Sequence, residues 1–387
     1  MGFDPLHPQY WPSASQEDLL DAALLEGDAA GAAWDRWISE VDLDTADTGS
    51  VFILPAVYKN LIQAGYPDGE LAKIKGVYRF SWGRNQLTCN RVAKIVSLLE
   101  HAGVECLVLK GTALLMTTYE DVGLRMMSDF DLLIREGQLD QAASVLGSNG
   151  WSCSRPPKRF EFALREIEFN RPDHPPLDLH FNDFPAGCKP ASVGGLWNRT
   201  ERVEWMAMGL SVPDATDLLL HCCIEGRKLD PQGGCRWIID LHEIIRRRGA
   251  DLDWEALPQR VSEMGLVLPV RDAMNYVKRR FEIPIPESVM HELSRGEDLQ
   301  EDVERYRTHL RRRTATWEGR FLRHRELYAA GIERAGGRFR VWGFVAFLVG
   351  FYGWRIPFVL KKTIQRWWVR KMAGQATGSR GNPNPGP

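Results

Sequence analysis

Two aspartates two positions apart, Asp129 and Asp131, stand in the run Arg125-Met-Met-Ser128-Asp129-Phe130-Asp131-Leu-Leu-Ile134. Read as a strand, this run turns both carboxylates to one face and Phe130 into a core. Neighbouring carboxylates repel, and one is pushed toward its protonated form unless a cation sits between them. Magnesium is the common resolution, since it takes one or two carboxylates plus substrate phosphates. A third acid, Asp178, stands in Leu177-Asp178-Leu179-His180-Phe181, where His180 shares its face. If that strand pairs beside the first, three carboxylates converge. Such a triad can hold two metal ions about 3.5–4 Å apart, which clamps the entering and leaving oxygens of a phosphoryl displacement. Lys110-Gly111-Thr112 supplies the other half, because it follows the apolar run Cys106–Leu109 at a helix start. Backbone N–H groups there attract anions, and Gly111 lets a phosphate approach the main chain.

Each piece alone is commonplace. An Asp-x-Asp often ends a strand in solvent, a Lys-Gly-Thr is often a plain loop, and a lone Asp178 caps or pairs. The joint order carries the argument: strand, Lys-Gly, helix, Arg-x-x-Ser-Asp-x-Asp on a strand, then a later strand with Asp. That order resembles the nucleotidyltransferase superfamily that includes DNA polymerase beta, and more closely the bacterial "uncharacterised nucleotidyltransferase" family and the toxin-type transferases of abortive-infection systems. The matching stretches are Leu109–Leu114, Tyr119–Arg125, Ser128–Ile134, Asp178–Phe181, Leu-Leu-His221 and Trp237-Ile-Ile-Asp240-Leu-His242, so the resemblance spans residues 15–300. The wider superfamily opens with Gly-Ser or Gly-Gly and places its Asp pair about ten residues on. Here Thr112 follows Gly111, and Asp129 lies eighteen positions after that glycine.

The resemblance implies a transfer of NMP from an NTP to an unidentified acceptor, with Mg2+ or Mn2+ as cofactor. Asp129 and Asp131 would ligate the metal, and Asp178 would complete the site and help activate the acceptor. Lys110, Gly111 and Thr112 would hold the triphosphate. Arg125 would sit on phosphate or orient Asp131, and Ser128 would cap the strand end or touch nucleotide. His180 reads as a base or as an ordinary half-buried histidine. Two alternatives stand beside this reading: a catalytically degenerate transferase fold acting as a binding module in a biosynthetic or membrane assembly, and a growth-inhibiting toxin.

The elements that must position these residues form an α+β protein. The domains expected are a flexible arm over 1–15, an N-terminal helical subdomain over 16–103, a mixed-sheet core over 104–213 and a C-terminal helical subdomain over 214–298. A charged helix and an apolar, basic helix follow over 299–372, then a disordered tail over 373–387. Ser15-Gln-Glu-Asp18 reads as a capping box opening the first helix. Apolar spacing gives helices over 30–41, 51–64 and 69–101, then 214–226, 235–248, 253–264, 266–281 and 287–295. A short helix is expected over 113–118 and another over 139–149 with Gly150 as its stop. Strands are expected at 106–109, 130–134, 160–169 and 177–181, with a hairpin over 203–212. His221 reads as a helix contact, and Asp240, an acid in an apolar stripe, as the partner of Arg227 or Arg236.

The chain has 387 residues, 44 % of them hydrophobic and 26 % charged, which excludes bulk disorder, collagen and coiled coil. The net charge of −2 predicts no strong attraction to nucleic acid. It hides an asymmetry. From Arg334 onward there are ten Lys and Arg and no Asp or Glu, which leaves 39 basic against 51 acidic residues in the rest. Seven cysteines, an odd number without a Cys-x-x-Cys pair, read as reduced structural thiols of a cytoplasmic protein. Residues 341–360 are apolar and aromatic but include Arg355 and Pro357, and a spanning helix needs about 20 apolar residues. With the basic flanks, 336–372 reads as an anchor on an anionic membrane surface, with packing on a partner, true spanning and nucleic-acid binding as competing readings.

Overall fold

The computed structural model describes residues 11–153, 165–181, 193–226, 234–295 and 341–352, with Arg325, Tyr328, Ala329 and Ile332. Residues 1–10 of the arm expected over 1–15, the segments 299–324 and 353–387, and the start of the 160–169 strand lie outside the described residues. The chain divides into two units, one of 1–154 with 165–311 and one of 155–164 with 312–387.

In the first unit, α1 (Ala14–Leu24) opens on a capping box, but its cap is Ser13, whose hydroxyl accepts from Gln16 N while Gln16 reaches back. The expected cap at Ser15 is therefore two residues late: Ser13-x-x-Gln16 and Ser15-x-x-Asp18 fit one pattern, and the longer amide side chain closes the ring. Helices α2 (Asp28–Glu40), α3 (Thr48–Val51), α4 (Leu54–Gln63) and α5 (Ala72–His101) follow. The amphipathic spacing of α5 buries Ile74, Ser81, Asn85, Thr88, Cys89 and Val92 on one side along its 30 residues.

The sheet is built from β1 (Cys106–Leu109), β2 (Phe130–Ile134), β3 (Ser152–Cys153), β4 (Glu166–Asn170) and β5 (Leu177–His180), in the order β1-β2-β5-β4-β3. Only the β2–β5 pair is parallel. The register sets Leu109 beside Asp131, Asp131 beside Asp178, and Glu166 beside His180. Since neighbours in register share a face, Asp131, Asp178, His180, Glu166 and Glu168 lie on one side of the sheet. Phe130, Leu132, Leu177, Leu179, Ile167 and Phe169 fill the other side and are all buried. Helix α6 (Lys110–Thr117) starts directly at Lys110, three residues before the expected start, and α7 (Leu139–Ser148) ends before Gly150 at φ 81°. After α8 (Val193–Leu196), the hairpin β6 (Thr200–Trp205) and β7 (Met208–Pro213) leads to α9 (Ala215–Glu225), α10 (Arg236–Arg248), α11 (Leu257–Met264), α12 (Val267–Phe281) and α13 (Glu287–Arg295). The fold is thus a small mixed sheet flanked by helices, as expected. The six described cysteines are free thiols, five of them buried.

The second unit contains the helix Val341–Tyr352. Among the described residues no helix is long and apolar enough to cross a membrane. Phe344 and Phe347 are buried against Tyr328, with Ile332 and Leu348 packed on the cluster. Their rings thus have a protein partner.

Candidate active site

The turn from β1 into α6 sets Lys110 at φ 50°, a left-handed conformation that costs an L-residue energy and that glycine would adopt freely. What that conformation secures is an ion pair: Lys110 Nζ donates to Asp131 Oδ1 at 2.5 Å. The same oxygen meets His180 Nε2 at 3.0 Å, and His180 Nδ1 lies 3.1 Å from Glu166 Oε2. The imidazole therefore bridges two carboxylates. Burial opposes the charge on Asp131, but Lys110 and His180 outweigh it and hold the carboxyl well below the usual range. Burial likewise opposes the Lys110 charge, and Asp131 and Glu225 reverse this and raise it.

Asp178, beside Asp131 in register, has no such relief. Burial first, then the charges of Asp131 and Glu166, push its carboxyl up to about 6. The ionised form is thus disfavoured in the fold. The stability that Asp178 brings is intact below its unfolded pKa of about 3.9 and is lost as pH rises through about 6. Asp178→Asn is therefore expected to stabilise the protein at pH 8 by about 1–2 kcal/mol, the two-unit shift discounted for solvent screening of a half-exposed group. By pH 4.5 the gain should shrink to a third or less. Urea denaturation at the two pH values checks this, and a loss of stability at pH 8 would contradict it.

The seventeen residues between Gly111 and Asp129 are clamped at both sides. From α5, Asn85 Nδ2 donates to the carbonyls of Val122 and Arg125, Arg84 to that of Ser128, and the Tyr78 hydroxyl to Asp121. From α10, Arg236 donates to the Met126 carbonyl. Arg125 runs into the core and pairs with Asp240 through both carboxylate oxygens, at 2.8 and 3.0 Å, and the Tyr119 hydroxyl donates to the same carboxylate at 2.7 Å. Arg125 thus pairs with Asp240 rather than with Asp131, and the partner of Asp240 is Arg125 rather than Arg236. Arg227, the other arginine considered, lies outside the described residues. Arg236, buried and beside the like charge of Arg125, is lowered to about 10. Gly111 has a packing duty as well: a Cβ there would stand 2.1 Å from Arg125 Nη1.

The other sequence-derived candidates are spread around this centre. Asp129 stands one residue before β2, half-buried, and accepts from the Ser128 hydroxyl at 3.0 Å. The Thr112 hydroxyl is sealed from solvent and has no hydrogen-bond partner among the described residues. His221 Nε2 lies 3.1 Å from Glu225 on the same helix. Glu166 belongs to the site and was missed. Its signal was the alternation Glu166-Ile-Glu168-Phe-Asn170, which marks a strand with two acids on one face.

Magnesium asks for hard oxygen ligands. Asp131 and Asp178 supply them in register, so the donor chemistry fits a divalent cation. In the arrangement seen, an ammonium group lies on Asp131. Among the described residues no group of three His, Cys, Asp or Glu side chains is placed to hold a metal ion.

No curated protein matches the chain. A crystal structure of an antigenic nucleotidyltransferase-like protein from Paracoccidioides brasiliensis is similar over 55 % of this chain and 98 % of its own, with 12 % identity and a TM-score of 0.36. Residues 51–282, more than half of the sequence and the whole of the sheet with its clamping helices, match the family described as uncharacterised nucleotidyltransferase, and the chain belongs to that family.

Proposed function

We propose that the protein transfers a nucleoside monophosphate from an NTP to an acceptor hydroxyl, at the sheet face that carries Asp131 and Asp178. The observation that carries this reading is the in-register pairing of those two carboxylates beside the Lys110–Gly111 turn. Asp129, Asp131 and Asp178 would hold Mg2+ or Mn2+, and the metal, when bound, supplies charge stabilisation to the transferring phosphoryl group. Lys110 neutralises the phosphate chain, with the Gly111 and Thr112 backbone beside it. Asp178, raised to about 6, takes the acceptor proton near neutral pH. The acceptor oxygen forms a bond to the α-phosphorus, the bond from that phosphorus to the bridging oxygen breaks, and pyrophosphate leaves. The buried Arg125–Asp240 pair shapes the turn from within. The charge step at Arg334 supports placing this reaction at an anionic membrane surface through 336–372.

A ligand that binds only the folded state adds about 2.7 kcal/mol of stability at a hundredfold excess over its Kd. NTP with magnesium is therefore expected to raise the melting temperature of the wild-type protein and to leave Asp131→Asn unmoved. No shift with any NTP plus magnesium or manganese would overturn the reading. A second reading, the non-catalytic binding module, is favoured by the ammonium group on Asp131. It predicts nucleotide binding without turnover.

A further inference from the structure

Lys110 is the most constrained charged residue of the site. It accepts a left-handed backbone, at φ 50°, and brings its ammonium group to the buried oxygen of Asp131. A glycine would relieve the strain, so the side chain is what the strain secures. In the proposed transferase the same two groups have other partners, the phosphate chain for Lys110 and the metal for Asp131. They satisfy each other only while both ligands are away.

We propose that Lys110 is a tethered counter-ion that a divalent metal displaces from Asp131, so that the metal and the phosphate chain of the nucleotide bind cooperatively. This rests on the transferase reading above. The metal alone competes with an ammonium group already held at the carboxylate. Once the metal is on Asp131, the lysine is released next to the helix start where phosphates would lie, and the second ligand meets a cation no longer paired with Asp131. By linkage, the phosphate chain favours the metal as much as the metal favours the phosphate chain. The energy that holds the pair in the resting site becomes a penalty on either ligand alone, and both together remove it. The device also protects the resting fold. Burying Asp131 beside Asp178 without a cation would leave like charges crowded on one sheet face.

The test uses the full chain and manganese alone, read by electron paramagnetic resonance. Lys110→Met keeps most of the aliphatic stem and removes the competitor, so manganese should bind at least about tenfold tighter than to wild type. Arg135→Gln removes an exposed positive charge that pairs with Glu105, at the far end of β2, rather than with Asp131. It should change manganese affinity by less than about threefold, because an exposed charge acts through solvent. A second measurement needs no variant: acetylation of Lys110 in the wild-type chain, followed by peptide mass spectrometry. Magnesium alone should speed acetylation of Lys110, and magnesium with a non-hydrolysable NTP analogue should slow it again. Equal manganese affinity in wild type and Lys110→Met, or acetylation indifferent to magnesium, overturns the exchange while the transferase reading stands on turnover. Manganese bound by neither protein overturns both the exchange and the metal site beneath it.

Discussion

Asp240→Ala is expected to cost about 3–5 kcal/mol of folding stability, the range for breaking a buried ion pair from one side. It should appear as a fall in the urea midpoint at an unchanged slope. Three groups lose their partner at once. Arg125 is left buried with its charge uncompensated, the Tyr119 hydroxyl loses its acceptor, and Arg236, already pressed by Arg125, loses the nearby anion. A domain has only about 5–15 kcal/mol to lose, so this one carboxylate accounts for about a fifth or more. Replacing both partners, as Arg125→Met with Asp240→Leu, removes both charges and should recover at least half of the loss. If the double variant is as unstable as the sum of the two singles, the pair is not the coupled unit described here.

The second large effect falls on turnover. Asp131→Asn keeps the size of the side chain and removes the charge that Lys110 and His180 share. Electrostatic stabilisation by one well-placed group is worth about 10²–10³-fold in rate. In the proposed transferase Asp131 would act both through the metal and through Lys110, so the loss should lie at or beyond the upper end. Some stability should go too, about 1–3 kcal/mol for the buried ammonium group left with a weaker acceptor. A melting curve on the same sample separates that loss from the catalytic one.

The strands that carry the site were legible because they are short apolar runs with turns at their ends. Cys106–Leu109, Phe130–Ile134 and Leu177–His180 fall where the pattern puts them. Their register was not written in the pattern, yet it decides the chemistry. Only the antiparallel pairing of Leu109 with Asp131 brings residue 110 onto that carboxylate, and no local spacing announces a contact across 21 positions. Arg125 and Asp240 illustrate the same limit at 115 positions. Each looked like a charged residue in need of a partner, and which partner depends on how α10 packs over the turn. The long spacer before Asp129 looked like a departure from a compact phosphate loop. The structure gives it a physical purpose, since its carbonyls and side chains are the attachment points for α5 and α10. Gly111, read from sequence as space for phosphate, is also space for the Arg125 guanidinium.

The central claim is that the carboxylate face of this sheet transfers a nucleoside monophosphate. The direct measurement is incubation of the protein with magnesium and NTP labelled in parallel at the α and at the γ phosphate, in the presence of cell extract as the source of acceptor. The account predicts α label on an acceptor, γ label only in released pyrophosphate, and neither with Asp131→Asn. Label from the γ position on the acceptor, or transfer by Asp131→Asn at the wild-type rate, would contradict it.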